Sequence, residues 1–158
     1  MLKRTRTDLM DLVRAVVLEH EHVSERHPIV VEAHVPDLVG NWDSGRLERA
    51  LANLLSNAMK YSPSGGEITV SMSRHGRQAS LSVADRGIGI PQADLPHVFD
   101  RFRRGKNVAG KIPGTGIGLA TVRDIVERHG GTIAAKNRDG GGAIFTICLP
   151  IDHDDACE

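Results

Sequence analysis

The chain is expected to fold as an α+β protein, a two-layer sandwich with a mixed, mostly antiparallel sheet and three main helices on one face. Three observations carry this reading. Apolar residues recur at spacings of three and four in three separate segments, the period of helices that bury one stripe. Other segments alternate apolar and small polar residues and come in adjacent pairs joined by short glycine-containing turns, as in hairpins. With 158 residues, the chain has the size of one domain able to bury a substantial core.

The first helix is expected over Asp8 to His20, with Leu9, Leu12, Val13, Val16 and Val17 as its stripe and Asp8 as its cap. Ile29 to Val35 and Leu38 to Trp42 read as two short strands around Pro36 and Asp37, linked as a hairpin. Asp43 or Ser44 then caps a second helix on Leu47, Ala50, Leu51, Leu54, Leu55, Ala58 and Met59. It stops at Ser62-Pro63-Ser64-Gly65-Gly66. Glu67 to Ser73 and Gln78 to Ala84 predict an antiparallel pair about a turn at His75-Gly76. Residues 91 to 113 have little periodicity. A third helix runs from Thr115 to His129 on Leu119, Val122, Ile125 and Val126, closed by Gly130-Gly131. Thr132 to Lys136 and Ala143 to Leu149 form the last strands, about the turn Asn137 to Gly142. The whole chain, 1–158, reads as one domain with a core of about 5–150 and a polar tail over 151–158.

Composition narrows the function classes. Twenty basic residues balance twenty acidic ones, and there are only one Trp, one Tyr and three Phe. Neither a basic footprint nor stacking platforms for nucleic acid are present, so no nucleic-acid partner is expected. Cys148 in a strand-like run and Cys157 in the tail do not make a disulfide framework, which fits a reducing compartment. No apolar run reaches the roughly 20 residues of a membrane span, and no direct membrane contact is expected. The localisation expected is cytoplasmic. His20, His22 and His27 lack the spacing of a metal site and read as a solvated helix end. No G-x-S-x-G elbow is present.

Three constellations carry chemistry. At about 100° per residue, Asn53, Asn57 and Lys60 fall within about 60° of one another on the second helix, roughly 140° from the centre of its apolar stripe. Two asparagines in mid-helix oppose local propensity, although an ordinary solvated face is the competing reading. Asp85-Arg86-Gly87-Ile88-Gly89-Ile90-Pro91 follows a strand directly. Its carboxylate could accept hydrogen bonds from an exocyclic amine while the glycines let backbone approach a flat ligand; a plain glycine-rich turn is the alternative. Gly114-Thr115-Gly116-Ile117-Gly118-Leu119-Ala120 opens the third helix, where free N–H groups and the dipole favour phosphate; a flexible hinge before the helix is the alternative. Its spacing is neither that of a dinucleotide fold nor that of a Walker loop. Between the last two lies Phe99-Asp100-Arg101-Phe102-Arg103-Arg104-Gly105-Lys106, with Lys111 beyond, five cations against one acid. A loop that folds over an anionic ligand would have this make-up, as would a solvated loop.

The ordered series Asn53/Asn57/Lys60, Asp85-x-Gly87-x-Gly89, Phe99 to Phe102 and Gly114-x-Gly116-x-Gly118 resembles the N, G1, F and G2 boxes of the catalytic ATP-binding domain of sensor histidine kinases. The resemblance spans roughly residues 5 to 150 and implies the Bergerat-type α/β sandwich. It implies ATP and Mg²⁺ as cofactors. Asn57 would coordinate the metal, Asn53 and Lys60 would contact phosphate oxygens, and Tyr61 would lie near the nucleotide. Asp85 would read the adenine amine, with Gly87, Gly89 and Ile90 shaping the pocket. Phe102, Arg104 and Lys111 would belong to the lid, and Gly114, Thr115, Gly116, Gly118 and Leu119 to the phosphate cradle. Thr146 would back the adenine site.

On this resemblance the chain is a protein histidine kinase catalytic domain. It would transfer the γ-phosphoryl of Mg-ATP to a histidine on a separate dimerisation and phospho-acceptor domain, with a response regulator downstream. Hydrolytic relatives such as gyrases place a glutamate one turn before the metal asparagine, where this chain has Asn53. An amide is no general base, so transfer is favoured over hydrolysis. None of the eight histidines lies in the family's phospho-acceptor context, so the chain alone would not autophosphorylate. It reads as a monomeric domain, excised or acting in trans, with Met1 beside the first helix favouring excision and a membrane-anchored parent compatible with it. An ATP-binding sensor or interaction module, or a serine kinase resembling anti-sigma factors, are the alternative functions. Arg86 stands where the family often has Asn or Asp.

Overall fold

The computed structural model describes residues 2–100 and 118–151. Strand β1 (Thr5–Asp8) leads into helix α1 (Leu9–His20), whose N-terminus is capped by Asp8 accepting from Met10 N–H. Strands β2 (Ile29–Ala33) and β3 (Val39–Trp42) precede helix α2 (Ser44–Lys60). Strands β4 (Ile68–His75) and β5 (Gln78–Ala84), helix α3 (Gly118–Arg128), and strands β6 (Thr132–Asn137) and β7 (Ala143–Pro150) complete the order. A short 3₁₀ helix, Gln92–His97, lies in the segment expected to be aperiodic.

Five strands form one sheet in the order β2-β4-β5-β7-β6, with β2 parallel to β4 and the other pairs antiparallel. The expected hairpin between β2 and β3 does not form. Val35 and Pro36 carry the chain out of the sheet, and β3 pairs antiparallel with β1 in a separate two-stranded sheet. Strand β1 reads Thr-Arg-Thr-Asp, with no apolar alternation to reveal it in the sequence. The parallel β2–β4 pair requires a crossover, and that crossover contains α2.

One aliphatic core joins the layers. Leu51, Leu54 and Leu55 of α2, Val122 and Val126 of α3, and Val13 of α1 meet Ile68, Met72, Phe145, Ile147 and Leu149 of the sheet. Alternate positions on β4, β5 and β7, such as Ser71, Ser82 and Thr146, lie on the other face. This two-layer α+β architecture is the one expected from the sequence. Trp42 is fully buried and donates its indole N–H to Pro150 O at 2.9 Å, which ties the small sheet to the end of β7.

Candidate nucleotide site

Helix α2 buries Leu47, Ala50, Leu51, Leu54, Leu55 and Ala58, so Asn53 and Asn57 are only half-buried and Lys60 is exposed. Asn53 Nδ2 donates to Gly118 O at 3.4 Å, which sets the asparagine face of α2 against the start of α3. The side chains of Asn57 and Lys60 make no hydrogen bond or ion pair among the described residues. At the far end of α2, Tyr61 is the C-cap, and its carbonyl accepts from Ile88 N–H at 2.9 Å. The loop after β5 is thereby stitched to the end of α2.

Asp85 continues the pleat of β5 on the core side and is buried, with 2% of its surface exposed. Its Oδ1 accepts twice, from Gly87 N–H at 2.9 Å and from Ala143 N–H at 3.2 Å. Among the described residues no donor meets Oδ2. Burial raises the pKa of this carboxyl above the ordinary value. The hydrogen bonds from Gly87 and Ala143 and the charges of Arg138 and His27 work in the opposite direction. A ligand amine is a donor of the kind that Oδ2, which meets none among the described residues, could receive.

The glycines around it are set by close approach. A Cβ on Gly87 would collide with the Tyr61 carbonyl, and one on Gly142 would collide with the backbone of Asp85. Gly89 has φ +75°, a conformation that favours glycine. Gly118 differs, because a Cβ there would meet nothing within 4 Å among the described residues.

Two residues that hold this loop, Asn137 and Arg138, were missed in the sequence. Asn137, expected only to open a turn, receives Ile90 N–H on Oδ1 and donates from Nδ2 to Ile90 O, both at 2.7 Å. Arg138 donates to Asp85 O at 3.1 Å. His27 is buried rather than solvated; its ring bonds Ser24 Oγ and Ser62 O, both at 2.7 Å. Phe99 packs edge-to-face on Phe145 with ring centroids 6.0 Å apart, and Asp100 lies 3.8 Å from Arg123 of α3.

The structure therefore brings together α2 with Asn53, Asn57, Lys60 and Tyr61, the loop with Asp85, Gly87, Gly89 and Ile90, and α3 with Gly118 and Leu119. It does not bring Thr146 to them. Thr146 pairs with Ser82 and Ala134 on the face opposite the core, so the sheet lies between it and Asp85; strand periodicity puts Phe145 and Ile147 inward instead. Phe102, Arg104, Lys111, Gly114, Thr115 and Gly116 lie outside the described residues. No group of three or more metal-ligating His, Cys, Asp or Glu occurs among the described residues.

This sandwich, with a buried carboxylate after β5 and an asparagine face on α2, is the architecture of an ATP-binding catalytic domain. The family model described as histidine kinase-, DNA gyrase B-, and HSP90-like ATPase matches residues 42–153, and the chain belongs to that family. Its relatives place it among the catalytic domains of sensor histidine kinases. It is 37% identical over 155 residues to the sensor histidine kinase TmoS of Ectopseudomonas mendocina, covering 96% of this chain and 16% of TmoS. The chain thus spans only a small part of that relative. The nucleotide-free catalytic domain of the histidine kinase ThkA superposes with a TM-score of 0.84 at 28% identity, covering 95% of this chain and 97% of the other. Full-length ShkA in complex with AMPPNP matches with a TM-score of 0.83 at 26% identity, covering 95% of this chain and 31% of ShkA.

Proposed function

We propose that the chain binds ATP between α2, the Asp85 loop and the start of α3, and delivers the γ-phosphoryl to a histidine on a separate dimerisation and phospho-acceptor domain. The observation that carries the nucleotide reading is the buried Asp85 carboxylate, whose Oδ1 is occupied by two backbone donors while Oδ2 has none among the described residues. The adenine exocyclic amine is a donor of the right kind for that oxygen. The family's solved relative with AMPPNP supports an adenine nucleotide as the ligand.

Asn57 is the residue that would hold Mg²⁺. A carboxamide oxygen is a hard ligand, and Mg²⁺ characteristically takes few protein ligands and completes its shell with phosphate oxygens and water. That habit fits a site with no cluster of metal-ligating side chains among the described residues. When bound, the ion would neutralise phosphate charge. Lys60, exposed and without a partner among the described residues, is positioned in sequence to do the same one turn on. At Gly118 nothing in the described protein needs the small residue, so close approach of a ligand to the helix start is a sufficient reason for it. Phe102, Arg104, Lys111, Gly114, Thr115 and Gly116 belong to this reading as lid and phosphate-cradle residues.

Phosphoryl transfer asks mainly for positioning and charge neutralisation. Asn53 has no basic oxygen with which to activate water, and its amide is engaged with Gly118 O. Transfer to a partner nucleophile is therefore favoured over hydrolysis, and a response regulator would take the phosphoryl onward. Mixing the chain with a separately prepared phospho-acceptor domain and γ-labelled ATP should give an acid-labile, base-stable label on that domain. Acid-stable label would instead indicate a serine kinase, and nucleotide binding without label in any such partner would leave only a binding module.

A further inference from the structure

The loop that carries Asp85 runs six residues from the end of β5 before Pro91, and its last anchor is a single side chain from a distant strand. Asn137, the final residue of β6, accepts Ile90 N–H and donates to Ile90 O, each at 2.7 Å. One carboxamide thus satisfies both main-chain groups of one residue, as a neighbouring strand would, in a place where no strand of the described residues runs. The pair closes on Gly89, whose φ is +75°, and a Cβ on Gly89 would stand 3.0 Å from Asn137 Oδ1. Next to it, Arg138 donates to Asp85 O, and a Cβ on Gly142 would collide with Asp85. The β6–β7 turn therefore grips both ends of the loop, and α2 grips its middle through Tyr61 O.

We propose that Asn137 is a positioning residue for base recognition: by clamping Ile90 it fixes the loop that aims the Asp85 carboxylate, and so sharpens the choice of adenine over a purine with a carbonyl at the same position. The inference rests on the reading of Asp85 as the adenine contact. Asn137 touches neither Asp85 nor, on this reading, the nucleotide, so it acts through the loop alone. Preorganisation of this kind is lost when the clamp is released, because the loop must then be ordered as the ligand binds.

The test measures the affinities of the whole chain for ATP and for inosine triphosphate, which carries a carbonyl in place of the amine, in wild type and three variants. Asn137→Ala should lower ATP affinity roughly three- to tenfold, the loss expected for two exposed hydrogen bonds, and leave inosine triphosphate affinity nearly unchanged. The ratio of the two therefore falls. Asn137→Asp keeps the acceptor for Ile90 N–H but sets a carboxylate oxygen against Ile90 O, and should lower the ratio as well; the melting temperature reports whether either variant is disturbed as a fold. Asp85→Asn should lower the ratio most. If Asp85→Asn lowers the ratio and neither Asn137 variant does, the positioning role is overturned and the adenine reading stands. A ratio unmoved by Asp85→Asn overturns the adenine reading and the clamp's role with it. Equal losses for both nucleotides in Asn137→Ala reduce Asn137 to a structural residue and also overturn the proposal.

Discussion

On the proposed reading, Asp85 sets stability against function. Its folded pKa is raised, chiefly by burial, so the folded chain holds this proton at a pH where the unfolded chain has released it. The stability contribution of the group therefore falls as pH rises from the ordinary carboxyl value of 3.8 through the folded value, and stays low above it. Asp85→Asn removes the buried charge and should raise the stability of the free domain at neutral pH by about 1 kcal/mol while weakening ATP, the trade expected where a site is kept short of a donor. Thermal denaturation with and without ATP checks both halves. An amine donor is best received by the ionised form. ATP affinity should accordingly fall on acidification, beginning above the pH at which an ordinary carboxylate titrates, and an affinity flat down to that range would remove Asp85 from the site.

At the scale of elements, α2 is fixed at both ends by parts of the chain far away in sequence. Its N-cap, Asp43, accepts from Arg46 N–H at 3.2 Å and from Lys3 N–H at 2.9 Å, while Asp43 N–H reaches the ring of buried His129 at 3.0 Å. The backbone hydrogen bond from Lys3 is the largest influence lowering the Asp43 pKa, followed against it by burial. A depressed carboxyl stabilises above its unfolded value of 3.8 and loses that contribution as pH falls below it through the folded value. Asp43→Ala should cost about 1 kcal/mol, the usual worth of an N-cap, and measured stability should lose less of it under acid. At the other end, Gly87→Ala forces a methyl into the Tyr61 carbonyl, so α2 and the loop must separate. Overpacking of this sort costs about 1–3 kcal/mol, and ATP affinity should fall in parallel; calorimetry on the folded variant checks it.

Over the whole molecule, the parts legible in the sequence were those written in local pattern. Periodicity marks α1 and α2 and the buried face of α3, and alternation marks the β4–β5 and β6–β7 hairpins. The rest depended on long-range pairing. Strand β1 is polar and is held by β3, β2 finds β4 across a helix, and Asn137 meets Ile90 from 47 residues away. The same holds for the site. Asp85 lies buried directly after β5, whereas the pleat turns Thr146 to the outer face of the sheet. His27, read as part of a solvated helix end, is a buried strut against Ser62. No helix among the described residues is long and apolar enough to cross a membrane.

The proposed ATP site, with Asp85 on one wall and Asn57 on another, can be probed by calorimetric titration of ATP with and without Mg²⁺ into wild type, Asp85→Asn and Asn57→Ala. Mg²⁺ should tighten binding to wild type, Asn57→Ala should lose this tightening while retaining metal-free binding, and Asp85→Asn should weaken binding in both conditions. Unchanged ATP affinity in both variants, with Mg²⁺ present, would contradict the proposed site.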